Sequence, residues 1–278
     1  MDLLHSSIVE AKRYERTPYE ACPLCSSKNF APLKSADCQR HALYRAGLPT
    51  RMHWVRCAEC QHVFADGYFS GDALAFLFGA TQESQTPGYN VEAGRVVAAE
   101  MIERFTTATG IRSGRWLDVG FGAGHLLTTA HEYGFDVTGL ELRESSCWPL
   151  RALSYDVRSE SLLNLCEPDK GMQGPAFSAI SMADVLEHMP FPREALLKAR
   201  KLMAIDGALF VSMPNVDSFV WRALDIANAN PYWGELEHFH NFGRESLYWL
   251  LRETGFEPIS YFASRRYRAC MEVIAKPN

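Results

Sequence analysis

The pattern of apolar and polar positions changes character near residue 91 of this 278-residue chain. Before residue 71, short β-like runs are separated by many turn residues. From Val91 onward, segments with apolar residues every three or four positions alternate with short apolar runs. This alternation of helix and strand patterns predicts a parallel sheet covered on both faces. We therefore expect a small module at 1–70, a linker or lid at 71–90 and an α/β domain at 91–278.

The α/β domain divides into predicted helices and strands. The helices are 91–107, 124–133, 192–203 and 244–254; the strands are 115–119, 135–140, a short one around Asp156, 177–182, 208–212, 257–262 and 267–275. The apolar residues expected on one face of the first helix are Val96, Val97, Met101, Ile102 and Phe105. The last two strands are too close in sequence for a parallel crossover. We therefore expect a doubly wound, mostly parallel seven-stranded sheet that ends in an antiparallel hairpin.

A glycine-rich segment, Asp118-Val-Gly-Phe-Gly-Ala-Gly124, joins the first predicted strand to the next helix. Because glycine lacks a Cβ atom, Gly120, Gly122 and Gly124 let the backbone approach a ligand closely. The segment lies at the carboxyl end of a strand, where open α/β sheets bind ligands. A dinucleotide-binding loop would have its third glycine one residue later, where His125 stands. The loop therefore predicts a nucleotide-like ligand and disfavours a nicotinamide or flavin dinucleotide.

Two acidic residues sharpen this interpretation. Asp118, just before the loop glycines, would repel a pyrophosphate but suits the cationic amino end of a cofactor that carries an amino acid. Glu141 follows the second strand, 21 residues after Gly120, and at this distance an acidic side chain can accept both hydroxyls of a ribose. The alternative is a glycine-rich turn beside two surface acids.

Residues 118–124, followed by Glu141, resemble the first two motifs of class I S-adenosylmethionine (SAM)-dependent methyltransferases. The resemblance runs from about Tyr89 to the C-terminus, and Ser181-Met-Ala-Asp-Val-Leu-Glu-His-Met-Pro190 is similar to a fourth-strand motif of the small-molecule branch. It implies a Rossmann-like fold in which the glycine loop faces the methionine moiety and Glu141 holds the ribose. The other contacts with the cofactor that we expect are Asp118, Ser161, Leu162, Asp184 and, from a loop that closes over the site, Tyr89.

Two Cys-x-x-Cys pairs, Cys22-Pro-Leu-Cys25 and Cys57-Ala-Glu-Cys60, stand 31 residues apart in the N-terminal module. Four thiolates close a tetrahedral zinc site without an open position, so such a site is structural. A module of ~70 residues has little core of its own, and a metal ion would stabilise it. The alternatives are unliganded thiols, or ligands drawn from Cys38, His41, His53 and His62. A redox role is disfavoured because neither pair stands in a thioredoxin-like strand–helix context.

The combination of cysteine pairs and SAM motifs resembles a bacterial group of methyltransferases with an N-terminal zinc-binding domain. Some members of that group methylate nucleotide-linked deoxysugars on carbon. The resemblance implies a small organic acceptor, either a nucleotide-linked sugar or an intermediate of secondary metabolism. The best-known sugar enzymes carry a further C-terminal domain that does not follow Asn278 here.

A methyltransferase must align the acceptor and remove its proton where it has one. Histidine is the natural base near neutral pH. Three histidines follow the strands whose carboxyl ends should border the reactive methyl: His188, His238 and His240. We expect His238 to be the base, because Glu237-His238 before an aromatic stretch matches a Glu-His pair of the resembling families. The alternative is that these histidines only form hydrogen bonds within their loops.

Composition and charge exclude some classes of protein. The formal net charge of −5 gives no reason to expect contact with a nucleic-acid backbone. Arg265, Arg266 and Arg268 are expected to lie in solvent at the tip of the last hairpin. No apolar run approaches the roughly 20 residues that cross a bilayer, and the first residues lack the pattern of a secretory signal. We therefore expect a cytoplasmic enzyme. The alternatives are a macromolecule methyltransferase and a SAM-binding protein without catalysis.

Overall fold

The computed structural model describes residues 13–79, 85–167, 176–267 and 269–278. The elements of the N-terminal region are β1 (Thr17–Pro18), β2 (Phe30–Asp37), β3 (Arg51–Cys57), β4 (Val63–Ala65), β5 (Gly67–Tyr68) and α1 (Gly71–Phe78). The elements that follow are α2 (Val91–Thr109), β6 (Gly114–Val119), α3 (His125–Glu132), β7 (Phe135–Leu140), α4 (Glu144–Ala152), β8 (Asp156–Arg158), β9 (Phe177–Ala183), α5 (Pro192–Leu202), β10 (Met203–Pro214), α6 (Phe219–Ile226), β11 (His240–Asn241), α7 (Arg244–Glu253), β12 (Phe256–Ala263) and β13 (Cys270–Pro277).

Seven strands form one sheet in the order β12-β13-β10-β9-β6-β7-β8. The five strands β6 to β10 run parallel to one another, and β13 is antiparallel to both β10 and β12. The predicted doubly wound sheet with a final antiparallel hairpin is therefore confirmed. After β8 the chain crosses to the other side of β6 to form β9, so the strand order reverses between β6 and β9. Open α/β sheets bind their ligands at such a point.

Both faces of this sheet are buried, as its short apolar strands predict. Side chains alternate between the faces along a strand. Trp116 of β6 packs against Phe105 of α2 with ring centroids 4.8 Å apart, while the next residue, Leu117, belongs to the apolar cluster on the opposite face. The sheet is therefore a fixed platform for the loops that follow its strands.

The buried face of α2 differs from the expected one by one residue. Met101, Ile102 and Phe105 are buried, but Val96 is 59% exposed and Ala98 is buried in its place. A helix turns about 100° per residue, so residues 98, 101, 102 and 105 share one face and residue 96 lies on the other. The expectation for Val96 was wrong.

The N-terminal region forms a second sheet, in the order β11-β4-β3-β2, with one strand from the domain that follows. His240 pairs with Phe64 and Asn241 with Val63 in antiparallel register. The segment predicted as a linker or lid begins with the helix α1, and its residues 80–84 lie outside the described part of the chain. The N-terminal region is thus joined to the larger domain by backbone hydrogen bonds.

None of the helices that the structure describes is both long and apolar enough to cross a membrane.

Candidate active site

A single cavity of about 1430 Å³ opens at the carboxyl ends of the parallel strands. Typical sites for one small ligand measure about 300–1,000 Å³, so this cavity has room for two. We call one side the glycine-loop half; its residues include Asp118, Gly120, Gly122, Glu141, Ser161 and Leu162. We call the other side the histidine half; its residues include His41, Glu187, His188, Glu235, Glu237 and His238.

The glycine loop has the backbone conformation that its sequence predicts. Gly120 and Gly122 have φ angles of 67° and 55°, in the left-handed region that favours glycine. A Cβ atom on Gly120 would lie 2.7 Å from Cγ2 of Val185, whereas one on Gly122 would meet no atom within 4 Å. The loop therefore needs glycine at 120 for packing, while Gly122 borders open space in the cavity. Gly124 precedes α3 as its N-cap residue.

Asp118 carries a carboxylate oxygen that has no partner. The residue is 2% exposed, and its Oδ1 accepts a hydrogen bond of 2.6 Å from the Ser181 hydroxyl. Its Oδ2 is buried and has no hydrogen-bond partner among the described residues. Burial raises the pKa of Asp118 to about 7, although the Ser181 hydrogen bond and the charge of Arg266 lower it. A cationic donor from a ligand in the cavity would satisfy Oδ2 and favour the ionised form.

Glu141 lies at the end of β7 and organises the loop around it. Its Oε2 accepts hydrogen bonds from the Gly122 amide at 3.2 Å and from Nη2 of Arg143 at 3.0 Å, and its Oε1 accepts one from the Arg143 amide at 3.2 Å. A carboxylate has about four acceptor positions. A ribose hydroxyl would therefore use the remaining position or displace one of these donors.

The other expected contacts border the same half of the cavity. The Ser161 hydroxyl accepts a hydrogen bond from the Leu163 amide at 3.3 Å, and Leu162 is buried beside it. The backbone carbonyl of Tyr89 accepts a hydrogen bond of 2.8 Å from Nε2 of His125. All five of these residues line the cavity. Ser161, Leu162 and Tyr89 were predicted to contact the cofactor, and His125 was noted beside the glycine loop.

Asp184 and Arg266 form an ion pair between the two halves. Nη2 of Arg266 lies 2.6 Å from Oδ2 of Asp184, and the Ser212 hydroxyl donates to Oδ1 at 3.1 Å. Asp184 has a φ of 58°, a strained value for a residue with a side chain. Although burial lowers it, the charge of Asp184 and neighbouring groups raise the pKa of Arg266 above its ordinary value.

The expectation that the arginines of the last hairpin lie in solvent was wrong for Arg266. Its side chain is 26% exposed and lines the cavity. The neighbouring Arg265 fits the expectation, since its side chain is 67% exposed and its Nε lies 3.5 Å from Glu100. Arg268 lies outside the described residues. The partly buried carboxylate of Asp184 accounts for the inward direction of Arg266, because a charge that is largely removed from water needs a partner.

His188 and His238 lie together in the histidine half, with ring centroids 4.7 Å apart. Nδ1 of His188 donates to the Glu237 carbonyl at 3.1 Å. Nδ1 of His238 is buried without a partner among the described residues. Burial, and then the charge of His188, lower the pKa of His238 well below its ordinary value, so its ring is neutral and able to accept a proton.

Glu187 lies beside these two rings and was not singled out by its sequence. One ligand atom from each of Glu187, His188 and His238 lies within 4.8 Å of the others. Glu187 is 1% exposed, and neither carboxylate oxygen has a partner in the described part of the chain. Burial, and then the charge of Asp184, raise its pKa well above the ordinary value. The carboxyl group is therefore neutral and adds no charge next to the histidines.

The structure places His240 outside the cavity. Its Nε2 donates to the Met189 carbonyl at 2.9 Å, and its Nδ1 lies 3.1 Å from Nε2 of His62. Burial lowers the pKa of His240 to about 4, although its backbone hydrogen bonds raise it. Both ring nitrogens are thus occupied. His240 joins the N-terminal sheet to the wall of the cavity and is not in reach of an acceptor in this arrangement.

The four cysteines of the two pairs come together in the N-terminal region. The Cys22 and Cys60 sulfurs lie 3.6 Å apart and the Cys25 and Cys57 sulfurs 3.5 Å apart, and all four lie within 4.8 Å of one another. In a tetrahedral zinc site with bonds of about 2.3 Å, neighbouring sulfurs are roughly 3.8 Å apart. The donor set therefore fits zinc. Cys38, His41, His53 and His62 do not belong to this group.

The N-terminal region also supplies part of the cavity wall, which its sequence did not indicate. His41 donates from Nε2 to Glu235 at 2.7 Å and, like Asp37 and Arg40, lines the cavity. The two partners of that hydrogen bond are 194 residues apart in sequence. No local motif could reveal this contact.

Comparison with known proteins agrees with the fold. A family model described as a methyltransferase domain matches residues 91–261. The ubiquinone biosynthesis O-methyltransferase of Actinobacillus pleuropneumoniae serotype 5b is 28% identical over 114 residues, or 39% of this chain and 49% of that protein. The chain thus spans about half the length of this curated relative.

Solved structures share the fold at low sequence identity. The 1,6-didemethyltoxoflavin-N1-methyltransferase of Burkholderia thailandensis, solved with its substrate and S-adenosylhomocysteine, has a TM-score of 0.56 and 20% identity over 80% of this chain and 97% of that one. The magnesium protoporphyrin IX methyltransferase of Synechocystis, solved with S-adenosylhomocysteine, has a TM-score of 0.51 and 17% identity over 68% of this chain and 84% of that one.

The matching methyltransferase-domain model and the order of the sheet together identify a class I SAM-dependent methyltransferase. Within that class, the chain belongs to the family of the matching methyltransferase-domain model.

Proposed function

We propose that this protein transfers the methyl group of SAM to a small organic acceptor, such as a nucleotide-linked sugar or an intermediate of secondary metabolism. The observation that carries the proposal is that one cavity is lined by Asp118, whose Oδ2 has no partner among the described residues, and by the two histidines His188 and His238. Its relatives support a small acceptor, since one is named for ubiquinone biosynthesis and another was solved with 1,6-didemethyltoxoflavin.

In this proposal the glycine-loop half holds the cofactor. Oδ2 of Asp118 accepts a hydrogen bond from the ammonium group, and Glu141 accepts one from the ribose. Ser161 and Leu162 flank the adenine, and Tyr89 covers the site from the preceding loop. Bound SAM supplies an electrophilic methyl group on a sulfonium centre. Gly122 keeps the space beside the cofactor free of a side chain.

The histidine half aligns the acceptor and takes its proton. His238 is the proposed base, because its buried ring is neutral and its Nδ1 has no other partner in the described chain. His188, held by the Glu237 carbonyl, is the neighbouring group that can share the proton.

The N-terminal region is part of the same proposal. Cys22, Cys25, Cys57 and Cys60 hold a structural zinc ion within a module at 1–70, followed by a linker or lid at 71–90 and the SAM-binding domain at 91–278. None of the eight cysteines forms a disulfide, which suits the reducing cytoplasm where we propose that the enzyme acts.

The direct test is production of S-adenosylhomocysteine from SAM with a panel of nucleotide-linked sugars and hydroxylated aromatic compounds. At least one acceptor should stimulate production well above the rate without acceptor, and that stimulation should be lost in His238→Ala. A uniform absence of turnover in a sample that binds S-adenosylhomocysteine would contradict the small-acceptor proposal.

A further inference from the structure

Arg266 has hydrogen-bond donors that the fold does not use. Nη2 donates to Asp184 at 2.6 Å and to the Ser212 hydroxyl at 3.3 Å. Nε is buried without a partner, and no described residue accepts a hydrogen bond from Nη1. A guanidinium group has five N–H donors in a fixed plane. The two N–H donors of Nη1 therefore remain for a ligand, since Nε is buried.

The position of Arg266 is fixed by the strands on which the chemistry depends. Asp184 directly follows the last residue of β9, and Ser212 lies near the end of β10. These are the parallel strands whose carboxyl ends border the cavity, and the side chain of Arg266 lines that cavity. The ion pair with a strained, partly buried Asp184 holds the guanidinium in one place. Such a preorganised donor loses little entropy when it binds.

Its surroundings favour an anionic partner near Asp118. Asp118 pairs in register with Ser181 of β9, and Asp184 lies three residues further along the same segment. Arg266 and Asp118 thus both line the cavity, and Oδ2 of Asp118 has no partner among the described residues. An amino acid carries an ammonium and a carboxylate group on one carbon. The cationic Arg266 matches the carboxylate of such a ligand, and the acidic Asp118 matches its ammonium group.

We propose that Arg266 binds a carboxylate of a ligand in this cavity. The inference rests on the proposed function and extends it to a residue that neither the motifs nor the family resemblance indicates. Two sources share this chemistry: the α-carboxylate of the cofactor, which the position beside Asp118 favours, and an acidic group of the acceptor.

Calorimetry with two ligands tests this proposal and separates the two sources. The ligands are S-adenosylhomocysteine and its decarboxylated analogue, which keeps the amine and lacks only the carboxylate. In Arg266→Gln, the affinity for S-adenosylhomocysteine should fall about 10- to 100-fold, the usual value of a hydrogen bond to a charged group, while the affinity for the analogue stays within about twofold. The matched control is Arg265→Gln, the exposed neighbour, which should change neither affinity.

Arg266→Lys guards against a folding defect, since it keeps a charge beside Asp184. It should bind the analogue like the unaltered protein and S-adenosylhomocysteine more weakly, because a single ammonium replaces the planar fork. If the bound carboxylate belongs to the acceptor, the affinities for S-adenosylhomocysteine and for its decarboxylated analogue both stay unchanged. Arg266→Lys then raises the KM of the acceptor found in the panel above.

An Arg266→Lys variant that matches Arg265→Gln in both affinities and in the KM of the acceptor would overturn the proposal. Failure of the unaltered protein to bind S-adenosylhomocysteine would instead refute the proposed function itself. The two failures are therefore distinguishable.

Discussion

The two halves of the cavity are built in different ways. The glycine-loop half comes from consecutive short segments at the ends of β6 and β7, so Asp118, Gly120 and Glu141 lie within 24 positions of one another. The histidine half comes from segments far apart, with His41 from the N-terminal region, His188 after β9 and His238 before β11. In the proposed function, the first half binds a ligand common to a large class of enzymes, and the second can change its acceptor by changing loops.

The largest effect should follow from the cysteine group, because the histidine half depends on the N-terminal region and the glycine-loop half does not. Structural zinc contributes about 10–16 kcal/mol to the folding of small modules. In Cys57→Ser the zinc content should fall below about half an equivalent, and turnover should be lost, since β4 pairs with β11 next to His238. Affinity for S-adenosylhomocysteine should change far less.

Emission spectrometry and calorimetry on one sample measure both quantities. Cys38→Ser is the matched control, since Cys38 is buried outside the group and donates to the Pro49 carbonyl. Retention of a full equivalent of zinc by Cys57→Ser, or an equal loss in Cys38→Ser, would contradict the four-cysteine site.

The next effect separates catalysis from cofactor binding. In His238→Ala turnover should fall about 10²- to 10⁴-fold, the usual contribution of a positioned base, or roughly 3–5 kcal/mol of activation free energy. The affinity for S-adenosylhomocysteine should stay the same, because His238 lies in the other half.

Steady-state kinetics with the stimulating acceptor measures this loss. His131→Ala, at the exposed end of α3, provides the control and should keep full turnover. Turnover of His238→Ala equal to that control would exclude His238 as the base.

A smaller effect tests the glycine-loop half. In Gly120→Ala the new Cβ would meet Val185 at 2.7 Å while the backbone φ is 67°, so the free energy of unfolding should fall by about 1–3 kcal/mol. The loop must shift, and the affinity for S-adenosylhomocysteine should fall about tenfold.

Denaturant unfolding and calorimetry give the two numbers. Gly110→Ala is the control, because Gly110 has a φ of 80° and open space around it at the end of α2. That variant should lose stability only. If both variants keep their cofactor affinity, the close approach of the loop to Val185 has no part in binding.

The smallest effect concerns pH. The pKa of Asp118 is about 7 in the protein without ligand, and in our proposal the ammonium of the cofactor binds the ionised form. Affinity should therefore be fully present above pH ~8 and fall as the pH drops through ~7, by about tenfold at pH ~6. In Asp118→Asn the affinity should be lower throughout, and this step should be missing. A step of equal size in Asp118→Asn would assign it to another group.

The difference between the glycine-loop half and the histidine half also determines how much of the molecule could be predicted from its sequence. The glycine loop, Glu141 and the cysteine pairs were predictable because each combines residue types and spacings set by one strand, one turn or one metal ion. His238 was preferred to His240 only through the resemblance of Glu237-His238 to a Glu-His pair. The apolar pattern could not separate the two, because residues two apart in an extended segment face the same side. The pairing of β11 with β4 places His240 beside His62 and leaves His238 in the cavity.

Arg266 and His41 could not be predicted at all. The inward direction of Arg266 depends on Asp184, which is 82 residues away in sequence. Even within the single helix α2, the apolar pattern did not identify every buried residue. Ala98 is buried and Val96 is exposed, because the small side chain of Ala98 fits the face that packs against the sheet.

The central claim is that the glycine-loop half binds SAM. Calorimetric titration of the folded, zinc-loaded protein with S-adenosylhomocysteine tests it most directly. We predict saturable binding of one molecule per chain, weakened in Asp118→Asn. A well-folded sample that shows no detectable binding would contradict the account.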